Sequence, residues 1–226
     1  DVLWLEQNLR FHFDGNEEQL QQLAQDMSNS TSQQKLFRLR AEHMMKNSPE
    51  IAQILWFDTK RRPIDAVPTS NIPDQEVDAF GPPVTAKAFD LAIRLGTRQY
   101  SEPFFLEGNR AFVQMLVPIF HERRITGMLA LLYPLDTLLA NQVPWWFTEK
   151  YKVEIVDDNN IKFATKTHIS GNHSQSYEIP FDPPGPGLML RITHYDAPDN
   201  TMQRLLVAAI VLLAAGVFWS LWLVRD

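Results

Sequence analysis

The sequence contains no cysteine among its 226 residues. A disulfide framework and any thiolate chemistry are therefore excluded, while the cellular compartment stays open. The nine glycines are scattered, and none belongs to a phosphate-binding loop that ends in Gly-Lys-Ser or Gly-Lys-Thr. Paired histidines of the metalloprotease type are missing as well. The sequence thus carries no motif of a hydrolase or nucleotide-binding enzyme, and we expect no metal, no cofactor and no catalytic residue in it.

Basic residues are in deficit. Lysine and arginine number 21 against 27 acidic residues, which gives a net charge of −6. Nucleic-acid binding is disfavoured because it requires a basic surface. The hydrophobic content of 45% and the 14 phenylalanines are enough to form a substantial core. The chain is therefore expected to fold rather than to remain disordered.

The longest hydrophobic run, residues 205–224, has no charge, proline or histidine. Twenty helical residues at about 1.5 Å each match a hydrocarbon core of roughly 30 Å. Arg204 and Arg225 flank the run, and Trp219 and Trp222 lie near one end, where indole rings favour the interface. We therefore predict a C-terminal transmembrane helix. A buried core helix is the alternative, but such a helix rarely lacks a polar face over this length.

The N-terminal residues indicate whether the sequence is a whole protein or a part of one. Asp1 is not a methionine, and no signal peptide is recognisable at this end. We interpret the chain as a piece of a longer protein in which a first membrane span precedes Asp1. The single basic residue beyond the predicted helix, Arg225, is too weak a signal to set the membrane orientation.

The first 47 residues have a helical pattern. Apolar residues recur at helical spacing over residues 1–13 and 17–27, and residues 14–16 (Asp-Gly-Asn) form either a kink between two helices or a short break in one long helix. A second helix is predicted from the N-cap Ser32 to Lys46. The leucine stripe of the first helix either pairs with a second copy or covers the chain's own sheet.

Strand patterns follow. Residues 51–57 and 64–67 predict a hairpin, residues 84–95 a helix that stops at Gly96, and residues 100–106, 111–120 and 125–133 three strands. The last strands are joined by short turns, which predicts an antiparallel sheet. This is an α+β module.

The pattern of a helix followed by strands is repeated in a shorter form after residue 135. Residues 136–151 are predicted as a helix, followed by strands at 153–156, 161–165, 177–181 and 188–194. The resulting division has four parts. They are an N-terminal helical stalk at 1–47, a membrane-distal module at 48–140, a smaller membrane-proximal module at 141–197, and a juxtamembrane segment with the membrane helix at 198–226.

Two stretches carry a resemblance to a known family. They are ILWFDTKRRPIDAVP after the helical stalk and the strands and closing helix of residues 100–139, which include Ser101, Pro103, Pro118 and Gly127 in the family's order. With the second module and the membrane helix, the chain resembles the extracytoplasmic double Cache (PAS-like, PDC) sensor domain of bacterial membrane sensor histidine kinases. The resemblance covers nearly the whole chain and implies two PAS-like antiparallel modules.

The resemblance also implies a ligand pocket in the membrane-distal module, between the central sheet and the loops that follow the hairpin and helix. The polar or aromatic residues at those positions are Trp56, Asp58, Arg98, Tyr100, Ser101, Gln114 and Tyr133. Trp56 and Tyr133 have core packing as their alternative role. Arg98 and Tyr100 alternate along a strand and should face one side, where Arg98 either binds a carboxylate or is simply exposed.

The sequence differs from the amino-acid-binding members of the family at one position, and this difference indicates the class of ligand. Members that bind amino acids carry an aspartate for the ligand's amine, but this sequence has Leu132 and Tyr133 there. A buried ammonium group without a partner is costly. We therefore expect a small carboxylate ligand, or none in this module.

The interpretation is a periplasmic sensor domain in the bacterial inner membrane, acting as a homodimer and passing a conformational shift to the membrane helix. The parent protein is expected to be an ATP-dependent histidine autokinase, while this part is not itself an enzyme. The alternatives are the sensor of a chemoreceptor or diguanylate cyclase, and a membrane-anchored domain that binds a partner rather than a small ligand.

Overall fold

The computed structural model describes residues 2–68, 83–106, 109–168, 173–185, 187–195, 206 and 209–213. Two antiparallel sheets lie along a long N-terminal helix, which confirms the predicted α+β class. One hydrophobic core extends from the helix across both sheets, and a smaller core lies on the other face of the first sheet.

The N-terminal helix, α1, is continuous over Val2–Asn29. Of the two options for residues 14–16, the structure therefore shows one long helix. Its apolar stripe covers the chain's own sheets, because Leu5, Leu9, Leu20 and Leu23 are at most 2% exposed. These leucines are not available for pairing with a second copy. Helix α2 spans Gln33–Asn47, close to the predicted bounds.

The first sheet has the order β2-β1-β6-β5-β3, with β4 also paired to β5. Its strands are β1 Gln53–Phe57, β2 Pro63–Val67, β3 Gln99–Tyr100, β4 Phe104–Leu106, β5 Arg110–His121 and β6 Arg124–Pro134. The hairpin and the long strands are as predicted, but the predicted strand at 100–106 is two short strands. Residues 101–103 separate them, and Pro103 has no N–H to donate to a ladder.

Helix α3, Pro83–Leu95, packs on the first sheet through Ala88, Phe89 and Ala92. It ends at Gly96, as the sequence predicts. Gly96 has φ +64°, and its N–H donates to the carbonyl of Ala92 at 2.9 Å. A left-handed residue of this kind commonly ends a helix, and glycine adopts it without steric cost.

The predicted helix over residues 136–151 is wrong. Helix α4 ends at Gln142 (Leu135–Gln142), helix α5 is a single turn (Trp145–Thr148), and Tyr151 already belongs to a strand. Pro144 explains the interruption because it has no N–H and restricts the residue before it.

The second sheet has the order β8-β7-β10-β9. Its strands are β7 Tyr151–Asp157, β8 Lys162–Lys166, β9 His173–Pro180 and β10 Leu188–Tyr195. The predicted strands are present, and β9 begins four residues before its predicted start.

Most of the predicted membrane helix at 205–224 lies outside the described residues. Among the helices that the structure does describe, none combines the length and the apolar character needed to cross a bilayer. The predicted span therefore stays a prediction.

Candidate functional site

The first sheet presents two faces, and strand β5 shows how they differ. Val113, Met115 and Val117 point into the core beneath α1, whereas Leu116 points into the smaller core beneath α3. This alternation follows from the two-residue period of a strand. Because paired residues share a face, Gln99 lies on the face of Leu116 and Tyr100 lies on the face of Met115.

The cavity on the α3 face has a volume of about 290 Å³. Helix α3, the segment 99–103 and the start of β10 line it. The polar lining residues are Lys87, Gln99, Tyr100, Ser101 and Glu102, and the apolar ones include Val84, Leu91 and Leu188. A cationic side chain, a hydroxyl and an amide thus surround a partly apolar space, as in many small-ligand sites.

Lys87 and Glu102 form an ion pair of 2.7 Å across this cavity, with side chains 68% and 60% exposed. Exposed pairs of this kind contribute about 0–1 kcal/mol because water screens them. The Lys87 ammonium group is therefore readily available to another anion.

Ser101 and Gln114 are both buried and are bound to each other through the backbone. The Ser101 N–H donates to the carbonyl of Gln114 at 2.8 Å, and the Gln114 N–H donates to the Ser101 hydroxyl at 2.9 Å. The hydroxyl acts as an acceptor in this contact, so its own proton can still be donated. The two predicted residues lie together on the α3 side.

The cavity on the α1 face is larger, about 550 Å³. It is lined by Arg98, by Thr97 and Phe120, and by Glu17, Gln21 and Gln25 of α1. Arg98 forms an ion pair with Glu17, whose carboxylate is buried while the arginine is 43% exposed. The predicted carboxylate-binding residue is thus already occupied by a carboxylate of the chain itself.

Tyr100 and Tyr133 both contact Phe13 on the α1 face, at ring-centroid distances of 6.1 and 5.1 Å, and Tyr100 also lines the α3-face cavity. Arg98 and Tyr100 therefore share a face, as the alternation predicts. Burial is the main cause that raises the pKa of both phenols, and the neighbouring Tyr100 adds to the rise at Tyr133. The Tyr100 hydroxyl has no hydrogen-bond partner among the described residues, whereas the Asn16 side chain lies next to the Tyr133 hydroxyl and opposes the rise of its pKa.

Asn16 and Glu50 lie near Tyr133 and were not predicted as site residues from the sequence. The Asn16 amide donates a hydrogen bond to the Glu50 carboxylate at 2.9 Å, and the Ser48 hydroxyl donates one to the Asn16 side-chain oxygen at 2.7 Å. The charge of Glu50 contributes to the raised pKa of Tyr133. Asn16 and Glu50 are buried. A carboxylate near Tyr133 therefore exists, but it comes from residue 50 and lies on the α1 face.

Trp56 and Asp58 stand apart from both cavities. Trp56 packs on Phe37 of α2 at 5.8 Å. Asp58 accepts the N–H groups of Lys60 and Arg62, both at 2.8 Å, and so closes the β1–β2 turn. Burial opposes a low pKa at Asp58, but these bonds and the Arg62 guanidinium hold the pKa below its ordinary value. The structure therefore gives Asp58 a role in the turn.

Within the described part of the chain, no three histidine, aspartate or glutamate side chains are grouped as a metal site would require.

Comparison with known proteins identifies one clear relative and a shared fold. The chain is 31% identical over 212 residues to the C4-dicarboxylate transport sensor protein DctS of Rhodobacter capsulatus. The match covers 93% of this chain and 30% of DctS, so the chain spans less than a third of its relative. No family model matches the chain.

Two solved structures show the fold. The ligand-binding domain of the Pseudomonas aeruginosa chemoreceptor PctC, in complex with GABA, aligns with a TM-score of 0.57 at 14% identity and covers 85% of this chain and 95% of that one. The ligand-binding domain of the Pseudomonas fluorescens chemoreceptor CtaA, in complex with L-serine, aligns with a TM-score of 0.60 at 12% identity and covers 85% and 92%. The chain therefore has the fold of these chemoreceptor ligand-binding domains, in agreement with the double Cache (PAS-like, PDC) fold that the sequence resemblance implies.

Proposed function

We propose that the chain is the periplasmic ligand-sensing part of a bacterial membrane-bound sensor histidine kinase, and that its ligand is a small dicarboxylate. The similarity to a C4-dicarboxylate sensor protein over 93% of the chain supports this class of parent and ligand. The predicted span at 205–224 anchors the domain in the inner membrane. The kinase activity, an ATP-dependent histidine autophosphorylation, belongs to the parent protein, which we expect to be a homodimer.

We place the ligand in the α3-face cavity, and the observation that supports this choice is the difference between two cations. Arg98 is paired with the buried Glu17, whereas Lys87 is paired with the exposed Glu102. A ligand that took Arg98 from Glu17 would leave a carboxylate unpaired in a buried position, which is strongly unfavourable. A ligand that took Lys87 from Glu102 would release an exposed side chain into water at little cost.

The remaining groups of the cavity suit a dicarboxylate. Lys87 offers a positive charge, and the Ser101 hydroxyl and Gln99 amide offer further donors. The carbon chain of the ligand would lie against Val84 and Leu91 of α3. The volume of about 290 Å³ lies near the lower end of ligand pockets, which suits a small molecule.

The same cavity connects the ligand to the C-terminal end of the domain. Gly185 and Leu188 contribute to its lining, and Leu188 is the first residue of β10. Strand β10 ends at Tyr195, ten residues before the predicted span. A ligand that binds one arrangement of α3 and β10 better than another would shift the population toward it. This provides a route from the ligand to the membrane.

The experiment is a ligand screen on the purified full chain in detergent. Thermal unfolding and calorimetry are measured with succinate, fumarate and malate, and with L-serine and GABA as amine-bearing comparisons. Ligand at 100 times its dissociation constant raises the free energy of unfolding by about 2.7 kcal/mol. We expect stabilisation by dicarboxylates only. Lys87→Met should remove it, and Glu102→Gln should preserve it.

The second cavity is tested in the same screen. Arg98→Ala combined with Glu17→Gln removes the Arg98 cation without leaving a buried charge, and we expect this variant to bind ligand normally. Ligand binding that survives Lys87→Met but is lost in the double variant would move the site to Arg98. A folded chain that responds to none of the acids would contradict the dicarboxylate proposal and favour a partner-binding domain.

A further inference from the structure

We propose that four exposed apolar residues at one end of the molecule dock on the bilayer surface. The residues are Leu3, Trp4, Trp145 and Trp146, and we call them the aromatic end patch. The inference rests on the membrane anchoring in the proposed function and adds a second contact, made by the folded domain itself. It assigns the membrane interface as the partner of this exposed surface.

The side chains of the patch are large and apolar, yet a large fraction of their surface is exposed to solvent. Trp145 is 71% exposed, Leu3 is 70%, Trp4 is 42% and Trp146 is 39%. The rings of Trp4 and Trp146 lie 5.1 Å apart and so join the first turn of α1 to α5 in one surface. Exposed apolar groups of this size that lie together commonly mark an interaction site.

The patch lies at the end of the molecule from which the chain leaves. Ring contacts lead from Trp146 to Phe147 at 5.8 Å, to Tyr151 at 4.8 Å and to His194 at 5.2 Å. The adjacent Tyr195 closes the strand, and its N–H donates to the carbonyl of Lys150, five residues after Trp145. A series of ring contacts thus links the patch to the end of β10.

The opposite end of the molecule is marked by the other end of α1. There Ser28 contacts His121 at the turn between β5 and β6. Trp4 and Ser28 are separated by 24 residues of one helix, or about 36 Å. Strand β10 likewise begins beside the α3-face cavity and runs toward the patch. The chain therefore exits on the side of the patch and away from the β5–β6 turn.

The segment between Tyr195 and the predicted span is short enough to keep this end of the molecule close to the bilayer. The predicted span begins ten residues after Tyr195, and ten extended residues reach at most about 36 Å. The membrane therefore lies within about that distance of the patch. Tryptophan is the side chain that most favours the interface between water and hydrocarbon, since its ring is apolar and its N–H can bind polar groups.

A second copy of the chain is the competing occupant. Aromatic side chains are also enriched at protein interfaces. The position of the patch favours the membrane over a second copy, because the patch lies at the end of the molecule where β10 ends and the chain continues toward the predicted span. Farther along α1 the surface is mixed, because the Glu6–Arg10 ion pair lies beside Phe11, which is 75% exposed.

The test uses the absence of cysteine, which makes any introduced cysteine a unique labelling site. Leu3→Cys and Trp145→Cys are labelled with a nitroxide in the full chain, which is reconstituted in nanodiscs of phosphatidylcholine and phosphatidylglycerol. Arg124→Cys is the control, because Arg124 is exposed at the opposite end. Collision rates with oxygen, which partitions into lipid, and with a water-soluble nickel chelate report the depth of each label.

We expect nickel collisions to be several-fold lower at positions 3 and 145 than at position 124, with oxygen collisions correspondingly higher. Equal nickel access at all three positions, in a chain that co-purifies with the discs, would overturn the docking but leave the anchoring intact. A chain that fails to enter the discs would overturn both. Spin–spin broadening at position 145 that vanishes on dilution with unlabelled chain would assign the patch to a second copy.

Discussion

Arg98, the residue before β3, forms an ion pair with Glu17 of α1, and the two side chains differ greatly in exposure. The Glu17 side chain is 8% exposed and that of Arg98 is 43% exposed. The pair joins the long helix to the start of β3 at the edge of the first sheet. It therefore holds α1 in register against the sheet, and we assign Arg98 first to this contact.

The first prediction concerns this pair. Arg98→Ala leaves a buried carboxylate without its cation, which costs about 1–3 kcal/mol of unfolding free energy. Urea unfolding of the full chain measures the loss. The double variant Arg98→Ala/Glu17→Gln should recover most of it because the uncompensated charge is gone. Equal stability of Arg98→Ala and the wild type would show that the pair contributes nothing.

The second prediction is a loss of stability in acid. Asp65 is buried, and two parallel hydrogen bonds of 2.9 Å reach it from Arg38. Burial alone would raise the pKa of Asp65, but these bonds and the Ala66 N–H hold the pKa below its ordinary value. A lowered carboxyl pKa stabilises the fold above the unfolded pKa of about 3.9, and this stability is lost as the pH falls through the folded pKa.

The measurement is the free energy of unfolding from pH 7 down to the acid transition. Asp65→Asn should be less stable at neutral pH by about 1–3 kcal/mol and should show a shallower slope in acid. The Arg110–Asp136 pair, in which Arg110 lowers the pKa of Asp136, is the internal control because it remains intact. An unchanged acid slope in Asp65→Asn would contradict the assignment.

The fold was largely predictable from local sequence patterns. The hairpin at β1 and β2 and the long strands β5 and β6 have clear apolar runs separated by turn residues, and Gly96 marks the end of α3. The error at residues 136–151 came from a helical spacing of leucines that outweighed Pro144. That proline is the signal that should have ended the helix.

The candidate site was less predictable, for a physical reason. Alternation along a strand predicts which residues share a face, but the helix that each face packs against depends on the pairing of distant strands, such as that of Gln99 with Leu116 and Tyr100 with Met115. The Glu17 partner of Arg98 and the Glu50 neighbour of Tyr133 are 81 and 83 residues away in sequence. Lys87 was overlooked because it has no local motif and becomes a cavity residue only when α3 packs beside β3.

The third prediction concerns the Tyr133 hydroxyl, which is fully buried next to the Asn16 side chain. Asn16 keeps its bonds to Glu50 and Ser48 when this hydroxyl is removed, so Tyr133→Phe should change the free energy of unfolding by no more than about 1 kcal/mol. Since the ring lies on the α1 face, dicarboxylate affinity should stay unchanged as well. A tenfold or greater loss of affinity in calorimetry would instead place the ligand at Tyr133.

The last prediction compares two glycines. A Cβ added to Gly127 of β6 would lie 2.8 Å from the Phe57 carbonyl oxygen and 3.2 Å from the Trp56 ring nitrogen. Because one of these atoms is backbone, β1 and β6 would have to separate, and Gly127→Ala should cost about 1–3 kcal/mol. Gly15 lies within α1 and has nothing within 4 Å of an added Cβ.

The matched variant Gly15→Ala should therefore stabilise the chain by about 0.5–1 kcal/mol, because alanine loses less backbone entropy than glycine in a helix. Thermal unfolding of the two variants gives opposite shifts if α1 is continuous and β1 pairs closely with β6. A destabilised Gly15→Ala would mean that the helix bends at residues 14–16 in solution. A neutral Gly127→Ala would mean that the two strands are not in close contact at Trp56.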